Sequence, residues 1–301
     1  MTEKKTKKTR KGWSKEKQPR SLKEALEKKL SKKEKEKLIT SFDSVGDIAV
    51  IQIHDDLQKK AKIIGEALLA TNRQFKTVCM VSGEHQGLFR VQPVKIIAGK
   101  RSKKAMYKES GSRFLVELGK VFFSPRLSTE RMRISQLIKE KEVIGAFFAG
   151  VGPFPICFAR LSGMKKAYAV ELNPEAYKGL LHNIALNKCQ NKIEPILGDV
   201  KKVVPKMLLG KCDRVVMPLP KGGESFLKEA MMALKPAGGI VHFYRFVDKE
   251  TGAEQPLKDI REAAKELGMK TKILRNKKVR SFSASKEQIV IDFWAKPKGL
   301  K

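Results

Sequence analysis

Acidic side chains are scarce in this chain: 32 Asp and Glu stand against 64 Lys and Arg, a formal net charge of +32 over 301 residues. A field of that size implies a polyanionic partner, nucleic acid ahead of an acidic membrane surface. Cysteine is sparse as well. Cys79, Cys157, Cys189 and Cys212 stand singly, which argues against a disulfide framework or a zinc site and for a reducing cytoplasm. His54, His85, His182 and His242 show no ligand spacing, so no metal is expected. No apolar run approaches the length that spans a bilayer, and the lysine-rich start lacks the apolar core of a secretion signal. What is present is 41% hydrophobic content, enough for a sizeable core in one or two domains.

Three zones are expected. Residues 1–38 carry 16 basic against 6 acidic side chains and read as a low-complexity, largely disordered tail that can track a phosphate backbone. Within it, Ser21-Leu22-Lys23-Glu24 is a capping-box signature, and Leu22, Ala25, Leu26 and Leu30 give a nascent helix a thin apolar stripe. Residues 39–120 read as a small α/β domain. Its expected elements are a strand over 48–53, a helix over 57–69 and short strands near 77–81, 88–91 and 94–98, then a basic loop over 100–104 and strands over 114–118 and 120–123.

Residues 121–301 change period. A helix begins near Leu127, and strands over 143–148, 167–171, 193–197, 213–217 and 239–244 alternate with helices. The last two strands, 271–274 and 288–295, have only a basic, serine-rich loop between them and should pair antiparallel. Seven strands, mostly parallel and closed by an antiparallel hairpin, make an α/β fold of the class I methyltransferase, Rossmann-like kind.

The first strand of that sheet runs into Phe148-Ala149-Gly150-Val151-Gly152-Pro153-Phe154, and the second ends at Glu171. Strand, glycine turn, helix, strand and terminal acid form a nucleotide-binding unit whose acid accepts both ribose hydroxyls. The pattern is G-V-G-P, not G-x-G-x-x-G, and Pro153 fits the first helical turn. No pyrophosphate cradle is evident, so S-adenosylmethionine suits the loop better than NAD. Asp199 follows the third strand and can reach an adenine amino group, whereas Asp213 begins the fourth and lies at the wrong edge. Met217-Pro218-Leu219-Pro220 makes a rigid loop with no Asn or Asp and no aromatic after the second proline, which favours a ring nitrogen over an exocyclic amine as methyl acceptor.

Several blocks occur together in order: Phe42 to Ala49, Phe123-Ser124-Pro125-Arg126-Leu127-Ser128-Thr129-Glu130-Arg131, the glycine loop, Glu171-Leu172-Asn173-Pro174, Asp213 to Met217, and His242-Phe243-Tyr244. The set resembles the archaeal and eukaryotic tRNA (guanine-N1)-methyltransferase family that modifies guanosine 37, beside the anticodon. The resemblance covers about residues 41–246. It implies Glu130 as general base on guanine N1, Arg131 at the cofactor and guanine, and Arg126 near the anticodon loop. Pro218 stands at a catalytic position where the family often has Asn. For the cofactor it implies Phe148, Gly150, Gly152, Glu171, Leu172, Asp199 and Val200, with Arg131. Ala146 replaces a frequent family acid. The implied partner is tRNA, through its anticodon stem-loop and body, with residues 39–120 as a tRNA-binding domain, no membrane and a cytoplasmic monomer. Two other readings are methylation of a wyosine-pathway intermediate at the same position, and a catalytically weak RNA-binding relative. The aminocarboxypropyl transferases of that pathway usually show Ser-Gly-Asn in place of Ser124-Pro125-Arg126.

Overall fold

The computed structural model describes residues 19–83 and 87–299. The disorder expected for the first 20 residues falls, through residue 18, outside the described residues, as does His85. Contacts divide the described chain into two units, residues 19–83 with 93–103, and 87–92 with 104–299.

The first unit starts inside the zone expected to be tail. Helices α1 (Leu22–Ala25) and α2 (Lys32–Glu36) are each capped by a serine, Ser21 and Ser31, whose hydroxyl accepts from the amide three residues on. Leu22, Ala25, Leu26 and Leu30 are buried in a core with Ile64, Leu68, Phe75 and Val78. The thin stripe therefore is not idle: it has a partner surface on α3 (Ala61–Thr71), and tertiary packing supplies what a short helix lacks by itself. Strands β1 (Phe42–Val45), β2 (Ile48–Ile51), β3 (Thr77–Val81) and β4 (Val94–Gly99) form one sheet in that order, with β2 and β3 parallel across α3.

Two strands expected in this region do not form. Residues 87–90 turn, and Arg90 takes a left-handed φ of 51°, incompatible with an extended run. Residues 120–123 make only a single bridge, Leu118 to Val121, around the left-handed Gly119. The region around the basic loop instead opens a strand, β5 (Lys104–Glu109), paired with β6 (Ser112–Glu117). This hairpin packs with the second unit, so the division falls at residue 103 and not at 120. The reason lies in α6 (Pro174–Leu186). Asn183 and, just past the helix, Asn187 each accept from and donate to the backbone of β6: Leu115 N to Asn183 Oδ1 at 2.7 Å, Arg113 N to Asn187 Oδ1 at 2.9 Å, and the side-chain amides back to the carbonyls of Leu115 and Arg113. Two asparagines thus do for the outer edge of β6 what a third strand would do.

The second unit holds a seven-stranded sheet built from β7 (Val143–Phe147), β8 (Lys166–Glu171), β9 (Ile193–Leu197), β10 (Arg214–Met217), β11 (Gly239–Asp248), β12 (Met269–Ser281) and β13 (Lys286–Pro297). Their spatial order is β12-β13-β11-β10-β7-β8-β9, parallel except for β13, which runs antiparallel to both neighbours. Helix α4 (Ser128–Leu137) precedes the sheet, α5 (Pro153–Leu161) and α6 cross between β7, β8 and β9, and α7 (Val200–Val203), α8 (Leu227–Met232) and α9 (Glu254–Glu266) follow. The last three cover one face over a core that includes Phe147, Val215, Phe243, Ile291 and Phe293. Alternation along each strand leaves the other face to α4 and α5. The terminal strands are longer than expected because β11 and β13 pair over ten consecutive positions.

Candidate active site

At the end of β7 the backbone turns through Phe148, Gly150 and Gly152, all with positive φ (55°, 57° and 90°). A Cβ on Gly152 would stand 2.7 Å from Leu180 Cδ1 and 2.9 Å from Ile156 Cδ1, so the position needs glycine on grounds of space as well as torsion. Phe148 is the residue that has no such freedom. A non-glycine held there is stored strain of the kind found at ligand sites. Pro153 occupies the first turn of α5, where a missing N–H is harmless.

Glu171, at the end of β8, closes this loop. Its Oε2 accepts from the Gly150 amide at 2.6 Å and its Oε1 from the Asn173 amide at 2.7 Å. Burial pushes the Glu171 carboxyl above its ordinary range, with the backbone donors acting the other way. Asp199 follows β9 by two residues and caps α7 by accepting from the Lys201 amide at 2.9 Å. The Phe148 ring meets Phe226 edge-on at 4.9 Å, and Lys201 Nζ stands 5.0 Å from the Phe226 centroid. Phe148, Gly150, Glu171, Leu172 and Asp199 thus share the carboxyl edge of neighbouring strands, where open α/β sheets bind ligands, while Gly152 and Val200 are buried beneath. Asp213 is at the opposite edge, accepting from the Val143 amide and Lys235, each at 2.7 Å, and so fastens β7 to β10.

The second cluster surrounds α4. Pro125–Leu127 form a single 3₁₀ turn that carries exposed Arg126 into the helix. Glu130, in the first helical turn, is only 5% exposed. Its Oε1 accepts from Tyr244 Oη and Arg133 Nη2, both at 2.7 Å, and its Oε2 from Arg133 Nε at 2.9 Å. Arg133 also donates to Asp292 at 2.7 Å, and Asp292 accepts from His242 Nδ1 at 2.6 Å. His242 Nε2 in turn meets Arg214 Nη1 at 2.7 Å, and Arg214 donates to Glu142 at 2.8 Å. A continuous polar chain therefore runs from Glu142 to Tyr244 beneath α4. Burial lowers the His242 pKa in spite of Asp292, so the imidazole is neutral, donating from Nδ1 and accepting at Nε2. Burial would raise the Asp292 carboxyl, but His242 and Arg133 outweigh it and hold it low. Burial pushes the Tyr244 hydroxyl up, with Glu130 adding to it, which keeps it a donor.

Arg131, which the resemblance sets at the cofactor and guanine, pairs with Glu109 and not with the neighbouring Glu130 carboxylate. Successive helical residues point about 100° apart, while i and i+3 share a face, so Arg133 is the arginine that meets Glu130. Arg131, 1% exposed, donates to Glu109 of β5 at 2.5 and 2.6 Å and to the Ser124 carbonyl, between the rings of Phe123 and Phe154. Pro218 follows β10 half-buried, in a turn closed by Leu219 N to Met217 O at 2.8 Å. Ala146 is buried at mid-strand, 2% exposed. Sequence reasoning missed Arg133, Asp292 and the packing of Glu109. The first was readable from its i+3 spacing, and Asp292 from being the one acid in the apolar run Ile289–Ala295.

Comparison with known proteins agrees with this architecture in both units. The TRM5/TYW2 methyltransferase domain matches residues 105–274, and the TYW2 N-terminal domain matches 22–102, on either side of the division found in the contacts. The tRNA (guanine(37)-N(1))-methyltransferase Trm5b of Pyrococcus abyssi is 38% identical over 256 residues, 85% of this chain and 75% of that protein. The tRNA 4-demethylwyosine(37)-methyltransferase Taw21 of Saccharolobus solfataricus is 33% identical over 220 residues, 72% of this chain and 81% of that one. Among solved structures, the complex of aTrm5 with tRNALeu superposes with a TM-score of 0.80 at 34% identity, covering 91% of this chain and 78% of that one. With a family domain matched over more than half its length, on a sheet and glycine loop built as described, the chain belongs to the TRM5/TYW2 methyltransferase family.

Proposed function

We propose that the chain transfers a methyl group from S-adenosylmethionine to N1 of guanosine 37 in tRNA, working as a cytoplasmic monomer. The observation that carries this reading is the buried Glu130 carboxylate at the start of α4, held by Arg133 and Tyr244. Guanine N1 keeps its proton at neutral pH, so a base must take it as the methyl arrives. Glu130 Oε1 already accepts two hydrogen bonds and Oε2 one, which leaves Oε2 the lone pair to receive that proton. Arg133, donating to both carboxylate oxygens, holds the group in place for that transfer. Arg126, exposed one turn earlier, meets the anticodon loop. Pro218 holds the loop opposite, although its ring offers no donor to guanine O6.

The residues at the carboxyl edge suit the cofactor. Glu171 receives the ribose hydroxyls, Phe148 and Leu172 flank the nucleoside, Asp199 and Val200 take the adenine end, and the left-handed Gly150 and Gly152 let the backbone come close. The cofactor supplies the activated methyl, and nothing in the step requires a metal. Likeness to Taw21 favours one second reading, methylation of a wyosine precursor at the same position. The deciding experiment gives the protein matched tRNA transcripts with G or A at position 37, and a third tRNA bearing the tricyclic precursor, and identifies the product nucleoside. Methylation of the G37 transcript alone supports the first reading, the precursor alone the second. Transfer to A37 overturns both.

A further inference from the structure

The edge strand β12 carries Lys270, Lys272, Arg275, Lys277, Lys278 and Arg280, and no acid occurs from Met269 to Ser285. In a regular strand alternate residues share a face, so Lys272 and Arg275 would point to opposite sides. They do not. The register with β13 slips between Ile273 and Arg275 and again between Lys278 and Arg280, leaving Leu274 and Val279 as the extra residues of two bulges. Lys270, Lys272, Arg275, Lys277 and Arg280 consequently stand opposite Lys296, Trp294, Asp292, Val290 and Gln288, which all share one face of β13. The Arg280 Nε to Gln288 Oε1 hydrogen bond at 2.8 Å fits that phase. Lys278 points to the other face and pairs with Glu287 at 3.0 Å.

The cationic face is also the face of α4, because Asp292 reaches Arg133 and His242 from it. It runs toward the carboxyl edge of the sheet. There Phe246, on the same face opposite Gln288, packs against Phe282 with ring centroids 4.3 Å apart and planes tilted by 40°, and Phe282 is 56% exposed. The Phe246 amide donates to the Pro220 carbonyl at 3.1 Å, which sets the aromatic pair beside the Pro218 loop. Lysines on an edge strand also deter strand pairing between proteins, but that task needs charge and not phase. Two bulges that bring five cations onto one side answer to a ligand on that side.

We propose that this face of the β12–β13 hairpin binds RNA, the cations following the phosphate backbone and the Phe246–Phe282 pair giving an unpaired base a stacking platform. The proposal deepens the tRNA reading above and takes that substrate as its occupant. The family match ends at residue 274, so most of the stripe lies beyond it.

The test measures binding of the full chain to a G37 tRNA transcript, and to a single-stranded oligoribonucleotide, over a salt series. Replacing Lys272, Arg275 and Lys277 together by Gln should flatten the log–log salt slope by about two units and weaken binding at moderate salt by about tenfold or more. The single-turnover methylation rate at saturating tRNA should stay within about twofold. Lys278→Gln, which removes one charge from the other face, should leave the slope nearly unaltered. Phe282→Ala should weaken oligoribonucleotide binding at least about fivefold with the slope unchanged. Equal slopes for the triple variant and wild type, or a Lys278→Gln effect as large per charge, would overturn the surface while leaving methylation intact. A wild-type chain that methylates no tRNA, with the slope difference still present on the oligoribonucleotide, would instead overturn the function and keep the surface.

Discussion

Arg131 and Arg133 stand two residues apart on α4, the first buried and the second partly buried, yet the two flanks of the helix treat them differently. Arg131 faces a single acid, Glu109, in a closed bidentate pair walled by Phe123 and Phe154. Arg133 is shared between Glu130 and Asp292, and Tyr244 supplies Glu130 with a further, neutral donor. One flank balances charge for charge. The other divides one cation between two acids and leaves a carboxylate with an open lone pair. A balanced buried pair can only clamp, whereas an arginine shared between two acids can orient a base and still leave it a lone pair for substrate.

The largest expected effect would come from the second flank. Glu130→Gln keeps the shape and the contact with Tyr244 but removes the base, so single-turnover methylation should slow by roughly 10²–10⁴ while tRNA affinity and thermal midpoint change little. A wild-type rate at neutral pH would mean the proton leaves by another route. On the first flank the loss should be of folding instead: Glu109→Gln strands Arg131 and should cost about 3–5 kcal/mol in denaturant unfolding. The pair Glu109→Leu with Arg131→Met should recover most of that, and failure to recover would make Arg131 more than a clamp.

Glu171 offers a contrasting acid, held by backbone amides alone. Glu171→Ala should weaken S-adenosylmethionine binding by about 1.5–3 kcal/mol, and calorimetry showing unchanged affinity would remove it from the pocket. The smallest effect concerns pH. Because the His242 pKa is lowered in the folded state, the unfolded chain binds a proton that the folded chain does not. Stability should therefore decline as pH falls below about 6.5, with a limiting slope near 1.4 kcal/mol per pH unit for this group. The difference between wild type and His242→Gln isolates it, and parallel curves over pH 5.5–6.5 would show that the imidazole titrates normally. Asp292, held low in the fold, contributes only at more acidic pH, where its stabilisation is present above the ordinary carboxylate range and lost as pH falls through its folded value.

The seven strands and their mostly parallel sense were readable because strand and helix periods alternate regularly from Val143 onward, and Glu171 and Asp199 take their places from that alternation alone. Which groups meet one another across α4 was not. Arg133 meets Asp292 across 159 residues and Tyr244 meets Glu130 across 114, separations at which spacing carries no signal. The packing of Leu22 and Leu26 was underread for a related reason: a short stripe looks weak until its partner surface is known. The phase of the β12 cations was hidden likewise, since a bulge is set by pairing and leaves little trace in one strand's own residues.

The asparagine ladder on β6 has a consequence in time. The β5–β6 hairpin is complete as chain by residue 117, but the groups that satisfy its outer edge lie 68 and 74 residues beyond the Leu115 and Arg113 amides they accept from. A ribosome adding roughly 5–20 residues per second exposes that edge for several seconds before α6 emerges. Over that interval the hairpin is an open template, and its charged residues, Lys104, Lys108 and Arg113 among them, are what discourage another nascent chain from pairing with it.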